Sequence, residues 1–347
     1  MFTFTNRQIL SNVVIIGCGG TGSRLLPMIS QLMSRGKWND MVPTITLIDG
    51  DEVEVKNLTR QNFIMDDVGR NKAECLAERY GGAFEIPTIC INQYVPDNVI
   101  SMNDWLARSV PDSMTRLVAN RPAVFFLCVD NMKARYNIIQ SILMSTARNA
   151  QEHLIVDAGN ENTFGQARVF SSRIVKEEEC FNPDFTPLER LVPKGSDTIP
   201  VPFLPCPIGQ YLRASGYQGN PDASCADLEQ TAAVNAIMAM SMFSIMQNMY
   251  MMLPVKVETW FYDIHNGNDQ TRLNPAWLRE VLGGKQYRVP ADEDTRAYPV
   301  SINSLRQVQQ SIHNQNFYPV IKKSIEAMIK EGKLERVSPE MAEILGL

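Results

Sequence analysis

The sequence contains no C-x-x-C pair. Its seven cysteines are scattered and odd in number, and three of them lie in apolar, strand-like stretches. This usage is typical of reduced thiols in a cytosolic protein and disfavours a disulfide framework. It also excludes the paired-thiol pattern of a structural zinc site. We therefore expect a cytoplasmic protein that holds no zinc.

The sequence also lacks a surplus of basic residues and an uninterrupted membrane-spanning stretch. Lys and Arg number 33 against 38 Asp and Glu, a formal net charge of −5, which disfavours general nucleic-acid binding. The apolar run Val13–Ile16 breaks into glycine at once and lacks signal-peptide architecture. Polar residues interrupt Ala232–Leu253, which favours a buried core helix. We expect neither a nucleic-acid partner nor a membrane.

Short apolar segments alternate with helical patterns over the first half of the chain. The continuous apolar run Val124–Val129 is typical of a strand that is covered on both faces. Helical spacing of apolar residues follows the first strand and recurs over Asn131–Arg148. The order predicts an α/β fold, a doubly wound Rossmann-like mixed sheet with helices on both faces. The predicted strands are Val13–Ile16, Ile45–Ile48, Val124–Val129, Leu154–Val156 and Ala167–Phe170.

The composition changes after this pattern. Residues 176–223 are rich in Pro, Gly and acidic side chains, which predicts a long loop, and long loops in compact domains are usually either functional or disordered. A long helix over about Ser224–Leu253 and an extended stretch follow. We predict one domain over residues 1–275 and a mostly helical C-terminal extension over residues 276–347.

The segment Gly17–Gly22 fits the pattern G-x-G-G-x-G between a strand and a helix. Glycines let the backbone approach a phosphate, and the helix N-terminus presents unpaired N–H groups to the anion. Nicotinamide and flavin enzymes use nearly the same loop, so the loop alone does not identify the nucleotide. Asp49 ends the second strand, where a carboxylate can accept hydrogen bonds from ribose. The predicted nucleotide contacts here are Gly17, Gly19, Gly20, Gly22 and Asp49.

Two cations and a carboxylate downstream favour ATP over a nicotinamide cofactor. Hydride transfer requires no cations at the phosphates, whereas adenylyl transfer builds charge on the α-phosphate and on departing pyrophosphate. Arg60 and Lys72 can stabilise that charge. Asp130 follows the strand Val124–Val129 at its carboxyl end, where it can hold Mg²⁺ between phosphate oxygens.

Together these segments resemble the ThiF/MoeB/ubiquitin-activating-enzyme superfamily of adenylating enzymes. The matching segments run in the family's order over about residues 12–255: GCGGTGS, IDGDEVEVKNLTRQNF, DVGRNKA, CVDNMKAR and GQARVF. The resemblance implies ATP-dependent adenylation of the C-terminal carboxylate of a ubiquitin-like or sulfur-carrier protein with a glycine-tipped tail. It further implies release of pyrophosphate, a homodimer, a bacterial source and a conjugating enzyme as an additional partner. The alternatives are adenylation of a peptide or small molecule and, less favoured, a nicotinamide-dependent oxidoreductase.

The resemblance also assigns roles to individual residues. It implies that Asp49 binds ribose and that Asp130 binds Mg²⁺. Asp51 is either a carboxylate of the nucleotide pocket or a loop residue that caps the following turn. Arg60 and Lys72 take a catalytic role as charges in the transition state. The residues implied to surround the triphosphate are Asn57, Arg60, Gln61 and Lys72.

Cys225 is the best candidate for a nucleophile that receives the acyl group. Ser224 to Asp227 resembles a capping box, which would place Cys225 in the first helical turn, where the helix dipole favours thiolate. The neighbouring carboxylates of Asp227 and Glu229 would raise its pKa, so an ordinary cysteine is equally compatible with the pattern. Weaker candidates are Cys180 and Cys206, while Cys18 and Cys128 are interpreted as packing residues and Cys75 and Cys90 as core residues.

Two arginines have open interpretations. Arg7 resembles a residue that some relatives donate to a neighbouring subunit's site, but it lies close to Gly17. Arg24 is either a second phosphate contact or a solvated helix residue.

Overall fold

A computed structural model of the chain describes residues 3–38, 40–160, 164–173, 198–201, 231–252, 257–263, 268–273, 288–289 and 298–299. Contacts divide the chain into two units. One comprises residues 2–177 and 197–272, and the other comprises residue 1 with 178–196 and 273–347. The division predicted from the sequence, at residue 275, stays a prediction.

The first unit alternates strands and helices. Its strands are β1 (Thr3–Asn6), β2 (Asn12–Ile16), β3 (Thr44–Ile48), β4 (Thr88–Ile91), β5 (Val124–Leu127), β6 (Leu154–Asn160), β7 (Phe164–Ser171), β8 (Thr198–Val201), β9 (Val257–Asp263) and β10 (Asn268–Leu273). Its α-helices are α1 (Gly20–Arg35), α2 (Lys72–Leu76), α3 (Gly82–Phe84), α4 (Met102–Ser109), α5 (Asp112–Val118), α6 (Met132–Asn149) and α7 (Ala232–Tyr250). Short 3-10 turns occupy Arg7–Ser11, Val55–Thr59 and Met65–Asp67.

Eight of these strands form one mixed sheet in the order β10-β9-β7-β6-β5-β2-β3-β4. The five strands from β6 to β4 are parallel, whereas β7 runs antiparallel to β6 and β9 antiparallel to β7. Ile16 at the end of β2 pairs with Ile48 of β3 and Leu127 of β5. The loops that follow these three strands therefore meet at one edge of the sheet. The predicted doubly wound, mixed-sheet fold is confirmed.

Both faces of the sheet carry a hydrophobic cluster. Within β2, Val13 and Ile15 belong to the cluster that contains the buried faces of α1 and α7. Val14 and Ile16 belong to the cluster that contains α4 and α6. All five side chains of β2 are buried, because alternate residues of a strand point to opposite faces and both faces are covered.

The helix α7 belongs to the core, as predicted. Its buried face includes Val234, Met238, Met242 and Met249, which lie in the same cluster as α1. Within the described residues, no helix combines the length and apolar character needed to cross a membrane.

The start of α7 differs from the prediction. Thr231 is its N-cap, with extended backbone and a side chain that accepts a hydrogen bond from the Val234 N–H. The predicted start at Ser224 is therefore wrong, because Thr231 satisfies the free N–H groups at the true helix end. The prediction that Cys225 lies in the first turn of this helix is wrong for the same reason. Cys180, Cys206 and Cys225 themselves lie outside the described residues.

Four strands of the first unit, β1, β4, β8 and β10, occupy positions where the sequence predicted none. β8 lies within the predicted loop and pairs antiparallel with β1, so that Thr3 faces Val201. β4 forms the edge of the large sheet and exposes Cys90, which corrects its interpretation as a core residue. Of the predicted helical extension, the structure describes only two short antiparallel strands, β11 (Arg288–Val289) and β12 (Tyr298–Pro299).

Candidate nucleotide-binding site

A cavity of about 520 Å³ lies at the carboxyl ends of β2, β3 and β5. In open α/β sheets, ligands bind in the crevice outside the carboxyl ends of the strands. The residues predicted from the sequence that line it are Gly17, Gly19, Gly20, Asp49, Asp51, Asn57, Arg60, Gln61, Lys72 and Asp130. The predicted contact Gly22 does not line the cavity, and neither does Arg24.

The four glycines of the loop have different surroundings. Gly17 has a φ of 92°, and a Cβ there would lie 2.6 Å from the Cys128 carbonyl oxygen. A Cβ at Gly22 would overlap the carbonyl oxygen of Gly17, and one at Gly20 would overlap the Asn235 side chain. At Gly19 the nearest atom would be the Gln61 Nε2, at 3.9 Å. Protein packing therefore accounts for three of the glycines, whereas Gly19 leaves room that faces the cavity.

Asp49 joins the glycine loop to the end of β3. Its Oδ2 accepts a hydrogen bond from the Cys18 N–H at 2.6 Å, and its Oδ1 accepts one from the Asp51 N–H at 2.8 Å. Burial raises the pKa of Asp49, although these N–H groups and the charge of Lys72 oppose that rise. Each carboxylate oxygen can accept a further hydrogen bond, so the predicted contact with ribose stays compatible with this geometry.

Asp51 and Lys72 form an ion pair inside the cavity. The Lys72 Nζ lies 2.8 Å from the Asp51 Oδ2, and the Tyr94 hydroxyl donates to the other carboxylate oxygen. Burial alone would raise the pKa of Asp51, but the hydrogen bonds from Lys72 and Tyr94 outweigh it and hold that pKa below its ordinary value. The hydrogen bond to Asp51, followed by burial, raises the pKa of Tyr94. Of the two interpretations of Asp51, the structure favours the pocket carboxylate.

Asn71 holds the two sides of this pair together. Its Nδ2 donates to the carbonyl oxygens of Asp49 and Asp51 at 2.9 and 3.0 Å. Its Oδ1 accepts from the Glu74 N–H and so caps α2, which begins at Lys72. One side chain therefore fixes the segment after β3 against the helix that carries the lysine.

The segment around Arg60 ends the turn Val55–Thr59. Asn57 is buried, and its Oδ1 accepts from the Glu54 N–H at 2.9 Å, which stabilises this turn. Gln61 is also buried, and its Oε1 has no hydrogen-bond partner among the residues that the structure describes. A buried polar atom without a partner is costly, so a donor from a ligand in this cavity would satisfy it.

Asp130 follows β5, lines the cavity and is exposed. Next to it, Asn131 caps α6 by accepting from the Ala134 N–H at 2.7 Å. The buried Arg135 donates to the Val129 carbonyl at 2.6 Å and forms a buried ion pair with Asp157. These contacts fix the backbone on both sides of Asp130.

The donor set at the cavity suits Mg²⁺ that arrives with a nucleotide. Mg²⁺ is usually held by one or two carboxylates together with substrate phosphates and water. Asp130 is exposed and Asp51 is half exposed in the same cavity. Among the described residues, no group of three or more His, Cys, Asp and Glu side chains could hold a metal by itself.

The cysteines nearest the cavity are packing residues. Burial raises the pKa of Cys18 well above its ordinary value, with a further contribution from Asp49. Burial raises the pKa of Cys128 to about 12. Both thiols are therefore poor nucleophiles at neutral pH.

Several residues of the site were missed at the sequence level. Tyr94 comes after the edge strand β4, which the sequence did not predict, and Asn71 was part of a quoted motif without an assigned role. Apolar residues after β4 and β5 and on α6 form one wall of the cavity. Correct placement of β4 would have identified Tyr94 and Val95, whereas Val129, Ala134 and Ile138 follow or belong to elements that the sequence did predict. The missed lining residues include Lys56, Tyr94, Val95, Val129, Ala134 and Ile138.

Comparison with known families decides what kind of protein carries this cavity. The profile of the ThiF family matches residues 6–273, which include the whole site. The chain belongs to the ThiF family.

Individual relatives of this ThiF-family protein are distant. A segment of 127 residues is 30% identical to ubiquitin-like modifier-activating enzyme 5 of Drosophila grimshawi, which covers 36% of the chain and 29% of that protein. Among solved structures, PaaA matches with a TM-score of 0.45 at 15% identity, and E. coli MccB with ATP matches with 0.46 at 18%. Each match covers 77% of this chain and 65% of the other. The chain therefore spans less than two thirds of the length of these relatives.

Proposed function

We propose that this ThiF-family protein uses ATP to adenylate a carboxylate on its substrate and releases pyrophosphate. The observation that carries the proposal is the single cavity in which Gly19, Arg60, Lys72 and Asp130 meet. This set combines an open backbone for phosphate, two cations for its charge and an exposed carboxylate for a metal. Hydride transfer to a nicotinamide cofactor builds no charge on the phosphates that would require these cations.

The reaction needs no general base, because the substrate carboxylate is already anionic at neutral pH. A carboxylate oxygen attacks the α-phosphorus, the bond from that phosphorus to the bridging oxygen breaks, and pyrophosphate leaves with the electron pair. Arg60 and Lys72 stabilise the negative charge that builds on the phosphates. Mg²⁺, held by Asp130, would neutralise phosphate charge when it is bound.

The ion pair between Lys72 and Asp51 prepares the lysine for this role. Without a ligand, the buried ammonium is neutralised by Asp51 at 2.8 Å, since an unpaired buried charge is costly. A triphosphate offers a stronger partner, so Lys72 passes from one anion to another without losing its counter-charge. Asn71 keeps Lys72 at the cavity while the triphosphate replaces Asp51 as its partner.

We propose further that the substrate is the C-terminal carboxylate of a ubiquitin-like or sulfur-carrier protein. The motifs of the sequence and the partial likeness to a ubiquitin-like modifier-activating enzyme support this substrate class. Apolar residues on the Tyr94 side of the cavity provide a wall for the adenine base, and the glycine loop takes the phosphates.

The decisive experiment is ATP–pyrophosphate exchange with carriers that end in glycine. Wild type is expected to exchange only when a carrier is present, and Asp130→Ala to abolish the exchange. Asp97→Ala is the matched control, because Asp97 is an exposed carboxylate that pairs with Lys133 outside the cavity. Pyrophosphate exchange at the wild-type rate by Asp130→Ala would show that Asp130 is not the magnesium ligand. If the protein exchanged pyrophosphate with short peptides but not with carriers, its substrate would be a peptide.

Nucleotide selectivity tests the reaction class separately. ATP with Mg²⁺ should raise the melting temperature of the protein, and NAD should leave it unchanged. Stabilisation by NAD alone would refute adenylation.

Cys225 as acyl acceptor stays a proposal of its own. A carrier-sized, thiol-sensitive adduct should form on wild type with ATP and carrier and be absent from Cys225→Ala. An unchanged adduct would clear Cys225, while exchange would be unaffected in either case.

A further inference from the structure

Arg24 lies in the first turns of α1, next to the segment that carries Arg60. Its Nη2 donates to the Arg60 carbonyl oxygen at 3.3 Å, and its Nε is buried. Arg24 does not line the cavity. The structure therefore does not place its guanidinium as the second phosphate contact considered above.

The same segment is fixed to α1 at a second point. The Asn62 N–H donates to the Ser23 Oγ at 3.1 Å, and the Asn62 Nδ2 donates to the Ser23 carbonyl at 3.4 Å. The Asn62 Nδ2 also donates to the Tyr80 hydroxyl at 2.8 Å, and Arg79 donates to the Asn62 carbonyl at 3.0 Å. The backbone is thus bound on both sides of Gln61.

We propose that Arg24 is a positioning residue that acts on catalysis only through Arg60. The inference rests on the proposed adenylation, in which Arg60 stabilises charge on the phosphates. Ser23 and Asn62 hold the segment behind Arg60, and Arg24 holds the carbonyl of Arg60 itself. Loss of this hydrogen bond leaves the segment attached but lets Arg60 shift, and displacements near 1 Å can lower rates about a hundredfold.

A double-mutant cycle on pyrophosphate exchange tests the inference. Arg24→Met keeps an unbranched apolar stem of the side chain but removes the guanidinium donor. It should lower the exchange kcat about ten- to a hundredfold and change the KM for ATP less than about threefold, since Lys72 and the glycine loop are untouched. In an Arg60→Ala background, Arg24→Met should cause no further loss. Arg24→Lys, which retains one donor, should restore part of the rate.

The controls separate the possible failures. Arg35→Met changes an exposed arginine in the last turn of the same helix and should match wild type. Equal losses from Arg24→Met with and without Arg60 would show that Arg24 does not act through the Arg60 side chain and would overturn the inference. A melting temperature that falls in step with the rate, without rescue by Arg24→Lys, would assign Arg24 a structural role and also overturn it. If wild type itself fails to exchange with every substrate, the proposed function fails instead.

Discussion

The four glycines of the segment Gly17–Gly22 differ in the atoms that a Cβ at each position would meet. Gly17 and Gly22 are required by the chain itself, because Cβ atoms there would meet the backbone of Cys128 and of Gly17. Gly19 faces space. The motif therefore combines a folding requirement with a binding requirement.

Alanine substitutions should separate these two requirements. Gly19→Ala should weaken ATP binding at least about tenfold, because the methyl group enters the space of the phosphate, and should cost less stability than Gly22→Ala. Gly22→Ala should lower the free energy of unfolding by about 3 kcal/mol or more, as expected for overpacking against backbone. Calorimetric binding and denaturant unfolding measure the two effects. An equal loss of stability in both proteins would contradict the distinction.

The residue types of the site were predictable, and their partners were not. Ten of the predicted contacts line one cavity, because each directly follows a strand or belongs to a motif of fixed spacing. The ion pair of Lys72 with Asp51 and the contact of Tyr94 depend on the distance between separate loops. The sequence does not encode that distance as a local pattern.

At the scale of elements, short helices set the positions of the charged groups. α2 begins at Lys72 and continues through a π-helical turn at Ala77–Gly81 into α3. It is held by its cap, Asn71, which also bonds to two carbonyls of the segment after β3. The position of Lys72 therefore depends on a side chain that does not itself carry charge.

Two substitutions of Asn71 should give different results. Asn71→Ser keeps a capping oxygen but cannot reach both carbonyls, so most of the stability should remain while pyrophosphate exchange falls about tenfold. Asn71→Ala should lose the cap as well and about 1 kcal/mol of additional stability. Chemical denaturation and exchange kinetics measure both quantities. Exchange at the wild-type rate in Asn71→Ser would show that Lys72 needs no such support.

The order of elements was predictable where apolar runs were long. β2, β3 and β5 have side chains buried on both faces, and their apolar and β-branched residues revealed them. β4 is an edge strand of four residues, of which only Ile91 is fully buried, and so short a sequence, TICI, was not recognised as a strand. The start of α7 was misplaced because Ser and Thr both suit an N-cap, so that the sequence alone does not choose between Ser224 and Thr231.

At the scale of the whole molecule, the sheet separates two hydrophobic clusters, and the buried His153 lies beside one of them. The centroid of its ring lies 5.3 Å from that of Phe125, in an edge-on arrangement. Its Nδ1 accepts a hydrogen bond from the Ala123 N–H at 3.2 Å. Burial lowers the pKa of His153 from its ordinary 6.5 to about 4. Between about pH 4 and 6.5 the unfolded chain therefore binds a proton that the folded protein does not.

This difference predicts a pH-dependent stability. The contribution of His153 is complete above pH 6.5 and is lost as the pH falls towards 4, by up to about 3 kcal/mol. His153→Asn, which keeps an acceptor near the Ala123 N–H, should remove this part of the slope. Unfolding free energies of both proteins between pH 4 and 7 measure it. Identical slopes would show that other groups account for the acid sensitivity.

The contact of Gly20 with Asn235 limits how this protein can be recombined with others. A Cβ at Gly20 would overlap the Asn235 amide, and Thr21 lies within hydrogen-bond distance of Asn235 although 214 residues separate the two in the chain. A chimera that takes the glycine loop from one parent and α7 from another would combine residues that are not matched to each other at this contact. Useful crossover points therefore lie outside the interval from α1 to α7, or both segments must come from the same parent.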